Sequence, residues 1–207
     1  APGIYNFKVT DDNGCFYTES YEIKAVTPIA VAGNKVSDVL CNGGTTGAIN
    51  YTVSGNATVG NYTYTLTPNT GTITKTGNTI SVTGLIAGIY TLDIVDTATG
   101  CTATSSITIA QPAPLALTAV GTNVNCNSFN SQITGTAVGG TSGYTYAAVI
   151  AGTIPAPTVF AANPIIVNTN SGADLVWDVY AKDANGCTAK YETTIIFDAS
   201  PTVTAVL

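Results

Sequence analysis

Hydrophobic and polar positions alternate in short bursts along almost the whole chain, punctuated by glycine, asparagine, threonine and proline. Alternation with a period of two puts every second side chain on one face of an extended strand. It predicts strands over 48–53, 104–109 and 132–138, over Ile80-Ser81-Val82 and Ile165-Ile166-Val167, and over Tyr62-Thr63-Tyr64 and Tyr144-Thr145-Tyr146. The most regular bursts have inward series that read Tyr5, Phe7, Val9; then Tyr90, Leu92, Ile94; then Trp177, Val179, Ala181. By the same phase Asp93 and Asp178 point outward. No long stretch keeps a helical period, and no apolar run approaches the ~20 residues of a membrane span. The pattern predicts an all-β chain.

The bursts also repeat. Cys15, Cys101 and Cys187 are spaced by 86 and again by 86 residues, and Cys41 and Cys126 by 85. Pro28, Pro114 and Pro201 follow the first series by 13, 13 and 14 residues. Interlocked series at one period are the mark of tandem repeats. About seven short strands per repeat, with a turn signal every 8–12 residues, is the pattern of an immunoglobulin-like sandwich. The expectation is therefore tandem immunoglobulin-like β-sandwich modules. Residues 1–27 are the C-terminal part of one repeat, 28–113 and 114–200 are complete repeats, and 201–207 start the next. Joints such as Ala110-Gln111-Pro112-Ala113-Pro114 are short and proline-bearing, which favours a semi-rigid connection.

Composition narrows the function. The chain carries six Lys, no Arg and no His, with a net charge of -6. Nucleic-acid binding needs a basic footprint to displace counterions, so that partner is not expected. Low charge and abundant hydroxyl residues suit the outside of a cell. Ala1-Pro2-Gly3 has neither the basic nor the apolar region of a signal peptide, so the natural N-terminus is expected upstream, or to have been removed.

Five cysteines point to an oxidising compartment, and an odd count raises the question of an unpaired thiol. The register predicts Cys41 with Cys101 and Cys126 with Cys187, one bridge inside each repeat, and leaves Cys15 with a partner upstream of the chain. Each such loop of about 60 residues would be worth roughly 4 kcal/mol in the chain-entropy model. With no Cys-x-x-Cys and no histidine, a thiolate metal centre is not expected.

The remaining chemistry sits in turns. Asp11-Asp12-Asn13-Gly14 and Asp183-Ala184-Asn185-Gly186 are acidic, and Asp11, Asp12 and Asp183 are the candidate calcium ligands. Calcium takes six to eight oxygens, and each turn offers few. The competing reading is a hairpin in which Asn-Gly takes the positive-φ positions and Asp caps the turn. Acid–base catalysis would need a histidine or a buried carboxylate pair. Of the nearest acidic pairs, Asp11/Asp12, Asp93/Asp96 and Asp174/Asp178, Asp93 and Asp178 fall on the outward phase and read as solvated, and no catalytic residue is expected. Tyr62/Tyr64 and Tyr144/Tyr146 could stack on sugars but more simply pack across strands. The loop between Tyr146 and Ile165 differs most between repeats, which makes it the better glycan candidate.

The motifs together resemble the SprB-type repeat of gliding-motility adhesins from Bacteroidetes. The matching elements are Cys41-Asn42-Gly43-Gly44 (reduced to Cys126-Asn127-Ser128), Gly139-Gly140 through Tyr144 and Tyr146, Leu85-Ile86-Ala87-Gly88-Ile89-Tyr90 on to Cys101, and Gln111-Pro112. Residues 114–200 depart from it where Asp174-Leu175-Val176-Trp177 replaces the Ala-Gly-x-Tyr element. The resemblance implies a very large extracellular adhesin attached at the outer membrane and exported by type IX secretion. Its implied partners are a surface polysaccharide or substratum, the motility or secretion machinery, and neighbouring repeats. Asp96-Thr97-Ala98 also resembles the O-glycosylation motif of that bacterial group, which makes Thr97 a candidate acceptor.

Overall fold

A computed structural model describes residues 1–56 and 58–198. Strands dominate it. The chain opens with a two-stranded hairpin of β1 (Gly3–Thr10) and β2 (Phe16–Ile23). It continues through β3 (Ala30–Ser37), β4 (Gly47–Ser54), β5 (Tyr62–Thr67), β6 (Thr72–Thr76), β7 (Thr79–Leu85), β8 (Gly88–Asp96) and β9 (Thr102–Ile109). These form one sheet in the order β3-β4-β7-β6 and another in the order β5-β8-β9. That is the strand order of a seven-stranded immunoglobulin constant-type sandwich.

The pattern recurs in β10 (Ala116–Gly121), β11 (Val124–Asn125), β12 (Asn130–Val138), β13 (Thr145–Ile150), β14 (Ile165–Asn168), β15 (Val176–Lys182), β16 (Thr188–Thr194) and β17 (Phe197–Asp198). Here the sheets are β10-β12-β14 and β13-β15-β16, with a short parallel pair β11-β17. The register repeats residue for residue: Tyr64 faces Ile94 across β5 and β8, and Tyr146 faces Ala181 across β13 and β15.

Residues 1–34, 49–82 and 89–107 form one compact unit, and 35–48, 83–88 and 108 onward a second. The turn after β3 groups with the second unit because it is tied there: Val39 N–H donates to the Ala110 carbonyl at 2.9 Å and Asn42 Nδ2 to the Pro112 carbonyl at 3.0 Å. The expected boundary at Pro201 and the repeat start at 201–207 lie outside the described residues.

Alternation places the cores. In the first unit Ile49, Tyr51, Val53, Ile80, Val82, Tyr90, Leu92 and Ile94 are buried. Fully burying an aliphatic side chain of this kind is worth ~1.5–3 kcal/mol. Tyr51 takes its hydroxyl inside, where it donates to the Tyr90 carbonyl at 3.2 Å, and burial pushes its pKa up to about 12. In the second unit Leu117, Ala119, Ile133 and Val167 from one sheet meet Tyr146, Trp177, Val179 and Ala181 from the other. Trp177 satisfies its indole N–H on the Asp174 carbonyl at 3.0 Å. The hairpin β1-β2 differs, because Phe7 and Val9, the counterparts of Leu92 and Ile94, are exposed.

Two glycines mark where each repeat's opening segment meets its own body. Gly55 and Gly139 have φ of 77° in both cases, and a Cβ on them would overlap the carbonyl oxygens of Pro28 and Pro114. Gly139→Ala is expected to lower stability by more than the ~1–2 kcal/mol of left-handed backbone alone, because Pro114 must also move. Gly186→Ala, at φ 86° with open space around it, should cost only the backbone share. Denaturant midpoints of the two variants check the difference.

Candidate functional site

The cysteines correct the expected pairing. The disulfide joins Cys41 to Cys187, with Cα atoms 5.7 Å apart and a sequence separation of 146. Cys15, Cys101 and Cys126 are free thiols. The predicted bridges Cys41–Cys101 and Cys126–Cys187 are therefore absent, and so is the pattern of one disulfide inside each module.

The reason lies in where each class of cysteine sits on its sandwich. The early cysteine follows by two residues a residue bonded to the end of the last strands. Val39 N–H donates to the Ala110 carbonyl and Val124 N–H to the Ile196 carbonyl, both at 2.9 Å. Cys41 and Cys126 thus lie at the trailing end, where the chain leaves the repeat. The late cysteine closes the hairpin turn before the last strand, at the other end. Asp11, Asp96 and Asp183 each donate N–H to the carbonyl of the cysteine that closes their turn, at 2.9, 2.9 and 3.0 Å. In the second unit this turn lies against the leading end: Thr141 N–H donates to Asp183 Oδ2 at 2.9 Å, and Gly140 N–H to the Ala113 carbonyl at 2.9 Å.

Strand β16 runs between the two ends. Its seven residues span roughly 23 Å at ~3.3 Å per residue, whereas a disulfide tolerates Cα atoms at most ~7 Å apart. Cys126 and Cys187 cannot meet inside one sandwich. The same argument along the eight residues of β9 separates Cys101 from Ala110, beside which Cys41 begins its turn.

Around the bridge the polypeptide is closely tied. Asn185 Nδ2 donates to the Leu40 carbonyl at 3.1 Å and to Thr141 Oγ1 at 2.8 Å. Gly43 N–H donates to Gln111 Oε1 at 2.8 Å. Asn42, Pro114, Leu115, Gly186 and Thr188 line the shallow hollow beside the sulfurs.

The acidic turns use their carboxylates internally. Asp183 is buried, and its Oδ1 accepts N–H bonds from Asn185 at 2.9 Å and Cys187 at 2.8 Å while Oδ2 takes Thr141. Asp11 Oδ1 accepts from Asn13 at 3.0 Å and Cys15 at 2.8 Å, and Asp12 is exposed. Asp96 accepts from Ala98 N–H and Thr99 Oγ1, both at 3.0 Å. These are Asx turns. Positive φ falls on Gly14, Gly100 and Gly186 and not on Asn13 or Asn185, which corrects the expected Asn-Gly pair. Among the described residues no group of three His, Cys, Asp or Glu side chains is placed to hold a metal ion. Thr97 is exposed, and its hydroxyl donates to Asn61 Oδ1 at 2.7 Å.

Asp178 is a second correction. It occupies the outward phase of β15 yet is 0 % exposed. The loop after β13 covers it: Gly152 N–H donates to Asp178 Oδ2 at 2.8 Å, and Lys190 Nζ lies 2.7 Å from the same oxygen. Its Oδ1 is buried without a hydrogen-bond partner. The Lys190 hydrogen bond, helped by Gly152, holds the Asp178 carboxyl below its ordinary value of 3.8 against the opposing effect of burial. A lowered folded pKa contributes stability that is present above the unfolded value and lost as pH falls through the folded one. Stability is expected to drop as pH falls below 3.8, and to drop less in Asp178→Asn, as read from denaturant midpoints across that range.

The same loop builds an apolar hollow of about 250 Å³ on the outer face, lined by Ile154, Pro155, Phe160, Tyr180, Lys182 and Thr188. Lys182 Nζ sits 4.4 Å from the centre of the Phe160 ring. Of the tyrosine pairs, Tyr62 and Tyr146 are buried and Tyr64 and Tyr144 half-buried. Lys75 Nζ lies 3.8 Å from the Tyr62 ring and 5.9 Å from that of Tyr64. These rings serve packing. No helix among the described residues is long and apolar enough to cross a membrane.

No family model matches the chain, and no curated protein matches it in sequence. Solved structures with a similar course include the three N-terminal domains of the bacteriophage RB49 highly immunogenic outer capsid protein, at 16% identity and a TM-score of 0.45 over 82% of this chain. The N-terminal eight Ig domains of Down syndrome cell adhesion molecule follow at 12% identity and a TM-score of 0.46 over 96% of this chain. Fibronectin(III)-like modules of Clostridium thermocellum CbhA match at 14% identity and a TM-score of 0.34, covering 81% of this chain and 95% of theirs. The chain spans 59% of the phage structure and 28% of the adhesion-molecule structure. At such scores the likenesses say nothing of activity, and the sandwich assignment rests on strand order.

Proposed function

We propose that the chain is a non-catalytic repeat segment of a large secreted cell-surface adhesin, in which sandwiches of 28–113 and 114–200 act as a stalk. The observation that carries this reading is the Cys41–Cys187 bond, which ties the early cysteine of one repeat to the late cysteine of the next. A spacer needs joints that hold, and a covalent tie supplies that without any binding chemistry. The acidic turns support the same reading, because Asp11, Asp96 and Asp183 spend their carboxylates capping backbone and Asp178 spends its own on Lys190. The repeat motifs support a gliding-motility adhesin of the SprB type, placed outside the cell, attached to the outer membrane and exported by the type IX route.

A second reading has one observation in its favour. The hollow at Phe160 and Tyr180 offers aromatic and apolar surface beside Lys182, which is suited to a sugar ring, so the repeats themselves would adhere. A glycan array probed with the chain decides between them. The stalk reading expects no binding above background. Binding that Phe160→Ala abolishes would overturn it in favour of the second.

A further inference from the structure

We propose that Cys126 and Cys101 are the open halves of further bridges of the same kind. Cys126 bonds the late cysteine of a following repeat and Cys101 the early cysteine of a preceding one, so that each repeat is covalently joined to both neighbours. The proposal rests on the reading of the chain as a stretch of tandem repeats.

The warrant is the bond that their counterparts already make. Cys126 matches Cys41 in its surroundings as well as in spacing. Each stands two residues after a residue whose N–H donates to the exit segment of its own repeat at 2.9 Å, Val39 to Ala110 and Val124 to Ile196. Each sits in a tight turn: Cys41 opens one closed by Gly44 N–H to its carbonyl at 2.9 Å, and Cys126 is the second residue of one in which Asn125 and Ser128 bond each other at 3.0 and 3.1 Å. Cys101 matches Cys187 in the same way. Both carbonyls accept from the turn-opening aspartate, and both turns lie at the leading end of their repeat. For Cys101 this is seen where Asp96 and Thr99 share a hollow with Ala25, Val26, Thr27, Gly55 and Asn56.

In a tandem chain the trailing end of one repeat adjoins the leading end of the next. An early cysteine therefore meets the late cysteine one repeat onward, as Cys41 meets Cys187. Cys126 is exposed and Cys101 half-exposed, so both are open to a partner thiol. Bond formation removes two electrons and two protons from the thiol pair. A disulfide donor accepts them by thiol–disulfide exchange, its own S–S bond being reduced to two thiols.

The test is the full chain carrying residues 114–200 twice in tandem, oxidised with glutathione disulfide, alkylated and mapped without reduction. The expected result is two linked pairs: Cys41 with the first Cys187, and the first Cys126 with the second copy's counterpart of Cys187. Cys15, Cys101 and the second copy's counterpart of Cys126 should then be alkylated. In Cys126→Ser the second late cysteine should become alkylated while Cys41–Cys187 persists. An alkylated first Cys126 beside an intact Cys41–Cys187 bond, or a bond from Cys126 to Cys187 of the same copy, would overturn the proposal. The glycan array bears on the stalk reading alone, so the two can fail separately.

Discussion

Cys41→Ser is expected to lower the free energy of complete unfolding by up to about 5 kcal/mol, and Cys187→Ser by the same amount. The magnitude follows from the 146 residues the bond closes, since the chain-entropy model adds the logarithm of loop length to a constant. A typical domain has only ~5–15 kcal/mol of net stability, so the loss should be plain in denaturant midpoints. The control is as informative as the variant. Cys101 and Cys126 are unbonded, so serine at either should change stability by no more than ~0.5 kcal/mol. Bridges inside each repeat would make all four substitutions costly.

The second large effect concerns three positions in one register. Leu92 is 0 % exposed and Phe7 56 % exposed, while Val179 is fully buried. Leu92→Ala should cost ~2–5 kcal/mol through lost burial and the cavity left behind. Phe7→Ala should cost no more than ~0.5 kcal/mol, although Phe7 is the larger residue and its hairpin packs it edge-on against Tyr21 at 5.8 Å. Urea titrations of the two variants beside the parent chain, followed by the β-sheet circular dichroism signal, measure the contrast. Equal losses would show that the hairpin's face is covered after all.

Much of this fold is written in the period of two. Tyr90, Leu92 and Ile94, and Trp177, Val179 and Ala181, are buried as their alternation predicts, because a sandwich buries one face of each strand whatever its neighbours do. Asp178 shows where that logic stops. Strand phase tells which side a residue points to but not what covers that side, and the loop bearing Gly152 and Thr153 folds over the outer face, with Tyr180 donating to the Thr153 carbonyl at 3.3 Å. The cysteines show a different limit. Their two classes were plain from spacing, but spacing along the chain does not say which end of a sandwich a residue occupies. The clue was present: a full strand, β9 or β16, follows each late cysteine before the chain reaches the segment that anchors the early one.

Alkylation of the native, unreduced chain followed by peptide mapping decides which cysteines are joined. The expected map holds one linked pair, Cys41 with Cys187, and alkylated Cys15, Cys101 and Cys126. Linked pairs of Cys41 with Cys101 and Cys126 with Cys187 would contradict it.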